Sequence, residues 1–127
     1  MLNKIVLFDI DKTLLMGSKV HFNALLRAVS EVYGIITPGK IKNLQGMTDL
    51  KIIYTILSME NIEMDTIRSG LNECMELMYL YFNESLQKED LIVLNGVKDL
   101  LIDLQRHEIP TGLVTGNIAS IAWLKLN

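Results

Sequence analysis

The sequence predicts an α/β chain, mostly helical by content, in which two short strands lie on either side of a long helical block. Two observations carry this reading. Lys4 to Ile10 and Thr111 to Thr115 are short, largely apolar runs of strand length. Between them the apolar residues recur at helical rather than strand spacing.

The elements follow in order. The first strand ends abruptly in Asp9-Ile10-Asp11, then Lys12-Thr13-Leu14. Charge at the carboxyl end of a buried strand is the usual place for a site in an α/β sheet. Val20 to Tyr33 repeats Leu25, Ala28, Val29, Val32 and Tyr33 on one face, with Gly34 as the C-cap and Pro38-Gly39 as a turn. Thr48 or Asp49 caps a second helix to about Met59, with Leu50, Ile53, Tyr54 and Leu57 on one face. Asp65 caps a third, to about Leu86, whose stripe is Ile67, Leu71, Cys74, Met75, Met78, Tyr81 and Phe82. Asn95-Gly96 opens a fourth, Val97 to about His107, with Val97, Leu100, Leu101 and Leu104 expected to be buried. After the second strand, Asn117 caps a last helix, Ile118 to Leu126.

Composition narrows the function. Half of the 127 residues are hydrophobic, enough for a packed core and too many for global disorder. With 15 acids, 12 bases and a net charge of −3, the chain has no general attraction for nucleic acid or anionic membranes. No apolar run approaches a membrane span. The single cysteine, Cys74, cannot form an internal disulfide, which points to a reducing, cytoplasmic setting. The charge is uneven: residues 15–59 carry five bases and two acids, residues 60–90 eight acids and two bases. Solvated helix surface accounts for this; a lid facing an anionic substrate is the sharper alternative.

Asp9 and Asp11, two residues apart past a strand, are costly together unless a cation lies between them or one takes a proton. Mg2+ accepts one or two protein carboxylates beside a phosphate and water. An Asp carboxylate can also attack phosphorus, and a second can protonate the leaving oxygen and later activate water. Thr13 can hydrogen-bond the turn and orient the second carboxylate. The sequence Thr115-Gly116-Asn117, a hydroxyl and free amides at a strand end before a helix, suits a phosphate. The bland alternatives are a solvated strand end and a plain β–α turn.

The stretch Val6-Leu7-Phe8-Asp9-Ile10-Asp11-Lys12-Thr13-Leu14 resembles the first motif of the haloacid dehalogenase superfamily, and Leu113-Val114-Thr115-Gly116-Asn117 resembles its second. By layout the chain looks like the phosphoglycolate-phosphatase-like branch. The resemblance implies a Rossmann-like parallel core, here with only two strands, formed by residues 1–14 and 91–127, with an inserted α-helical cap over residues 15–90. It implies that Asp9 is the nucleophile and a magnesium ligand. Asp11 would be the acid/base, lending its carbonyl to the metal, and Thr115 would hold the phosphoryl group with Gly116 and Asn117 beside it. An Asp at position 11 marks phosphate-handling rather than dehalogenating members. Lys12 departs from the commoner glycine and is expected to point to solvent. The family's cap approaches substrate near Gly46-Met47-Thr48-Asp49, so Gly46 and Thr48 are candidate substrate contacts, against a capping turn. His21 is a further candidate, against a surface residue at a helix start.

The expected activity is a phosphatase acting on a small phosphorylated metabolite. The family's later lysine and acidic pair are not found after Asn117, and Lys125 comes too soon to be that lysine. The chain is therefore expected to be a fragment, inactive alone, completed by a C-terminal core segment or a second chain. Trp123 and Leu126 look suited to packing on such a segment. A phosphomutase is the nearest enzymatic alternative, and a non-catalytic phosphate- or partner-binding module is the alternative if the chain is complete. A signalling receiver domain fits poorly, because the middle of the chain is helical.

Overall fold

A computed structural model describes residues 3–17, 19–36, 44–87 and 90–127. The Pro38-Gly39 turn lies outside the described residues. The elements run β1 (Val6–Phe8), β2 (Leu15–Met16), α1 (Lys19–Tyr33), α2 (Asp49–Met59), α3 (Met64–Ser85), β3 (Ile92–Val93), α4 (Val97–Arg106), β4 (Thr111–Leu113) and α5 (Ala119–Leu126). The chain divides into two compact units: Met1–Ser18 with Gln87–Thr115, and Lys19–Leu86 with Gly116–Asn127.

In the first unit, β1 and β4 pair in parallel, with Val6, Leu7 and Phe8 opposite Thr111, Gly112 and Leu113. Gly112 lies close to Leu7: a Cβ there would lie 2.9 Å from the end of the Leu7 side chain, which would have to shift. The unit also contains an antiparallel pair, β2 with β3, too short to show as alternation in the sequence. Gly17 follows β2 with φ +123°, and a Cβ there would meet the Asp90 carbonyl oxygen at 1.6 Å, so only glycine fits. The strands and α4 are less buried than their apolar character predicts. Leu7 is 56% exposed, and no α4 residue is buried, Leu100 and Leu101 included. Two strands offer too little surface to cover an amphipathic helix.

The second unit is a helical cluster in which α1 and α3 make the largest interface. Leu25, Ala28 and Val29 of α1 pack with Ile67, Cys74, Met78, Tyr81 and Phe82 of α3, as the periodicity predicts. Gly70 permits this closeness: a Cβ there would lie 2.9 Å from the Tyr33 ring and from Val32. The Tyr33 hydroxyl then donates to the Ile67 carbonyl at 2.7 Å. At the surface Arg27 stacks 3.7 Å over the Tyr81 ring, whose hydroxyl donates to Glu31. Helix α2 buries Ile52, Ile53, Ile56 and Leu57, whereas Leu50 is exposed and Tyr54 only half-buried. Its apolar residues run nearly all round, so spacing alone misplaces the face. Glu63, not Asp65, occupies the N-cap of α3, and Ile118, not Asn117, that of α5. Helix α5 joins this unit through Ile121, part of the same core, while Trp123 is 64% exposed.

Phe82→Ala, at a fully buried site, is expected to cost about 3–5 kcal/mol. Leu100→Ser, on the exposed α4 surface, should stay within about 0.5 kcal/mol; urea midpoints measure both. Burial pushes the Cys74 thiol from 9.0 to about 12 and the Tyr33 hydroxyl from 10.0 to about 12. The folded state thus holds protons that the unfolded chain releases from pH 9 upward. Stability should fall as pH rises from about 9 towards 12, seen as a lower urea midpoint at pH 10.5 than at pH 8.

Candidate phosphate site and the buried polar cluster

The parallel register decides where the first candidate residues lie. Phe8 is level with Leu113, and the Val114 amide donates to the Phe8 carbonyl at 2.9 Å. Asp9 and Thr115 therefore leave neighbouring strands, about 4.8 Å apart, at the same carboxyl edge. The Ile10 amide donates to Asp9 Oδ1 at 2.8 Å, holding one carboxylate oxygen. Asp9 is exposed; Asp11 and Thr115 are half-buried.

The Asp11 backbone is fixed by a tight loop. The Ile10 carbonyl accepts from the amides of Thr13, Leu14 and Leu15 at 3.2, 2.9 and 3.1 Å, and the Lys12 amide donates to the Leu15 carbonyl at 2.8 Å. Ile10, Leu14 and Leu15 are buried, so apolar packing anchors a loop whose polar residues face outward. Thr13 is exposed and enters the turn through its amide. Lys12 has φ +62° and is exposed. The left-handed backbone explains why glycine suits this position, and the exposure agrees with a lysine directed to solvent.

The Asp9 carboxylate and the Asp11 carbonyl are hard oxygen donors of the kind Mg2+ takes. Among the described residues no group of three His, Cys, Asp or Glu side chains could hold a metal ion. The local donors thus suit an ion that completes its shell with phosphate and water.

Beyond Thr115 the chain enters the helical unit, where Gly116 and Asn117, the residues expected to sit beside a phosphate, are joined to a polar cluster. The Gly116 carbonyl accepts from the Asp49 amide at 2.8 Å, and the Ile118 amide donates to Asp49 Oδ2 at 2.8 Å. A Cβ on Gly116 would lie 3.0 Å from the Thr48 Cα, so glycine serves close packing here. Lys125 Nζ donates to Asn117 Oδ1 at 2.6 Å and to His21 Nδ1 at 2.8 Å. Lysine can only donate, so Nδ1 must accept and the ring proton lies on Nε2. His21 Nε2 is 3.0 Å from Asp49 Oδ1, an electrostatic contact off the direction of a good hydrogen bond. Phe82 flanks the cluster, its ring centre 5.9 Å from the His21 ring and 5.9 Å from Lys125 Nζ.

His21, Asp49 and Lys125 are 7%, 5% and 4% exposed. Burial corrects the expectation that His21 is a surface residue, and Asp49 and Lys125 were missed as site residues. A signal was available. His21 shares the Leu25 and Ala28 face, and Lys125 the Ile121 and Ala122 face, so each is polar where the period demands an apolar residue. Thr48 caps α2, its Oγ1 accepting from the Lys51 amide at 3.1 Å, which is the capping alternative. Gly46 is exposed with φ +77°.

A family model described as "Haloacid dehalogenase-like hydrolase" matches residues 6–127. No curated protein matches the chain significantly in sequence. Two similar solved structures are a hydrolase from Pseudomonas syringae (18% identity, TM-score 0.66) and CbbY from Rhodobacter sphaeroides in complex with phosphate (16% identity, TM-score 0.62). The first likeness covers 98% of this chain and 55% of the other, and the second 94% and 53%. The chain thus spans about half the length of these relatives, and at such identities they show the fold.

Lys125→Met should remove the donor that His21 Nδ1 and Asn117 Oδ1 take from Nζ in a buried place. The expected loss is about 1–3 kcal/mol, read from urea unfolding. A loss below about 1 kcal/mol would contradict the cluster.

Proposed function

The chain belongs to the haloacid dehalogenase-like hydrolases, and from that membership we propose that it carries part of a magnesium-dependent phosphomonoester hydrolase acting through an aspartyl-phosphate on Asp9. The observation that carries this reading is the parallel register, which puts Asp9 and Thr115 at one edge of the sheet. The phosphate in the CbbY structure supports the choice of phosphate as the group handled.

In this mechanism Asp9 Oδ2 attacks phosphorus while Asp11 gives a proton to the leaving ester oxygen. Asp11 then takes a proton from water as that water attacks the aspartyl-phosphate, releasing phosphate and restoring Asp9. The Thr115 hydroxyl donates to a phosphoryl oxygen through both steps. The loop closed on the Ile10 carbonyl holds the Asp11 backbone, so its carboxyl returns to one place between the steps. Mg2+, held by the Asp9 carboxylate and the Asp11 carbonyl, would neutralise the phosphoryl charge against the attacking carboxylate.

The substrate is a small phosphorylated metabolite, selected by the helical unit, with Gly46 and Thr48 in the loop before α2 as candidate contacts. The lysine and further acids of the resembled family are proposed to come from a segment outside residues 1–127, in the same chain or a second one. The 53–55% coverage of the neighbours supports this. So do the exposed apolar residues Leu7, Leu100, Ile102 and Val114 in the first unit. The reduced, buried Cys74 supports a cytoplasmic setting. No helix among the described residues is long and apolar enough to cross a membrane.

In the intact protein, Asp9→Asn should lower magnesium-dependent hydrolysis of 4-nitrophenyl phosphate by about three orders of magnitude or more. Thr115→Val should weaken inorganic phosphate inhibition by about ten- to a hundredfold. Full activity of Asp9→Asn, or activity unaffected by EDTA, would overturn the mechanism.

A further inference from the structure

Lys12 has φ +62°, in the left-handed region that side chains rarely adopt. Two other non-glycine residues share that region, Asn61 with φ +57° and Glu108 with φ +53°. Each stands one place beyond a C-cap, Glu60 of α2 and His107 of α4, where a left-handed residue is a common way to end a helix. Lys12 ends no helix. It lies in the loop after β1, next to Asp11 and three residues from Asp9. That loop holds the conformation in place. The Lys12 amide donates to the Leu15 carbonyl at 2.8 Å, and the next three amides close on the Ile10 carbonyl. Glycine takes the same φ without the clash that a Cβ makes, so the backbone alone does not account for a lysine. Outliers held in place by their surroundings cluster at functional sites.

What lysine adds is charge. Lys12 is exposed, and among the described residues its side chain makes no ion pair. Residues 5–18 and 108–115 bring Asp9, Asp11 and Thr115 to the sheet edge, and Lys12 is the only lysine or arginine in either segment. A phosphate dianion approaching two carboxylates is repelled, and Lys12 opposes that repulsion. Three residues of chain place its Cα at most about 11 Å from that of Asp9. Charges at that range interact in water at low ionic strength, where the screening length reaches about 30 Å, and are screened at about 1 M, where it is about 3 Å. We propose that Lys12 is an electrostatic guide, whose ammonium draws a phosphate dianion towards the Asp9 and Thr115 edge. This use keeps a lysine where glycine fits with less strain. The proposal rests on the reading of that edge as the phosphate site. Acting at a distance, the charge raises affinity without touching the reacting atoms, so it changes KM and leaves kcat.

The test uses Lys12→Met, Lys12→Arg and Lys12→Gly in the intact protein, with Mg2+ and 4-nitrophenyl phosphate, in about 0.01 M and about 1 M KCl. Lys12→Met keeps a side chain at the left-handed position and removes the charge. Lys12→Arg keeps both, and Lys12→Gly removes both. At low salt, Lys12→Met and Lys12→Gly should raise KM and the inhibition constant of inorganic phosphate about two- to fivefold, with kcat unchanged. Lys12→Arg should match the parent protein. At high salt all four proteins should coincide. The urea midpoint of Lys12→Gly should be no lower than that of the parent, because glycine relieves the strained φ.

An unchanged KM for Lys12→Met at low salt overturns the guide. So does a raised KM that persists at high salt, which marks a direct contact instead. A lower urea midpoint for Lys12→Gly overturns the argument from strain and makes the lysine structural. Asp9→Asn separates this proposal from the mechanism it rests on. If that variant keeps full activity, the nucleophile reading fails, and the salt-dependent change in phosphate inhibition still decides whether Lys12 guides the anion.

Discussion

Parallel strands cannot be joined by a tight turn, so the pairing of β1 with β4 needs a crossover, and here that crossover holds three of the chain's helices before α4 even begins. The cost of closing so long a connection grows only logarithmically. Lengthening a crossover eightfold adds about 2 kcal/mol of closure entropy. A short ladder from Phe8 to Leu113 can therefore tolerate a large insertion, provided the register is kept. Register is what the candidate chemistry needs. A slip of one residue would move Thr115 along the carboxyl edge relative to Asp9 and turn its side chain to the other face.

The helical unit depends on a different kind of interaction. Its core is ordinary apolar packing, but α5 is secured by a buried ammonium, a neutral imidazole and a carboxylate in line. Such groups gain little net stability, because desolvation offsets most of the attraction. Their value lies in direction. An apolar contact tolerates small rotations, whereas the Lys125 ammonium finds both Asn117 and His21 in only one arrangement. The fully buried Phe82 ring borders both His21 and Lys125.

Helix positions were largely legible in the sequence, because each helix except α2 carries a stripe of regular period. The face of α2 was not legible, since Leu50, Ile52, Ile53, Tyr54, Ile56 and Leu57 leave no polar side to read against. Strand identity was legible from apolar runs, but burial was not, because burial depends on how many layers cover a strand. The β2–β3 pair is two residues long and has no periodicity to detect. The acidic pair and Thr115 could be read because charge and hydroxyl at a strand end break a strong local pattern. The His21–Asp49–Lys125 cluster joins residues 28 to 104 positions apart. Its only trace is polar residues standing on apolar faces, a signal as easily taken for a surface position.

Lys125 has a consequence for how such a chain can change over evolutionary time. The strands β2 and β3 lie side by side, so everything between Met16 and Ile92 leaves and returns at adjacent points. That geometry invites exchange of the intervening helices as a cassette, with little disturbance to the sheet. Yet the members of the polar cluster do not travel together: His21 and Asp49 lie inside the cassette, and Asn117 and Lys125 outside it. A replacement that lacked His21 and Asp49 would remove the acceptor that Lys125 finds at Nδ1 and the acceptor of the Ile118 amide. The two segments are thereby bound to a shared inheritance, and modularity ends at a single ammonium group.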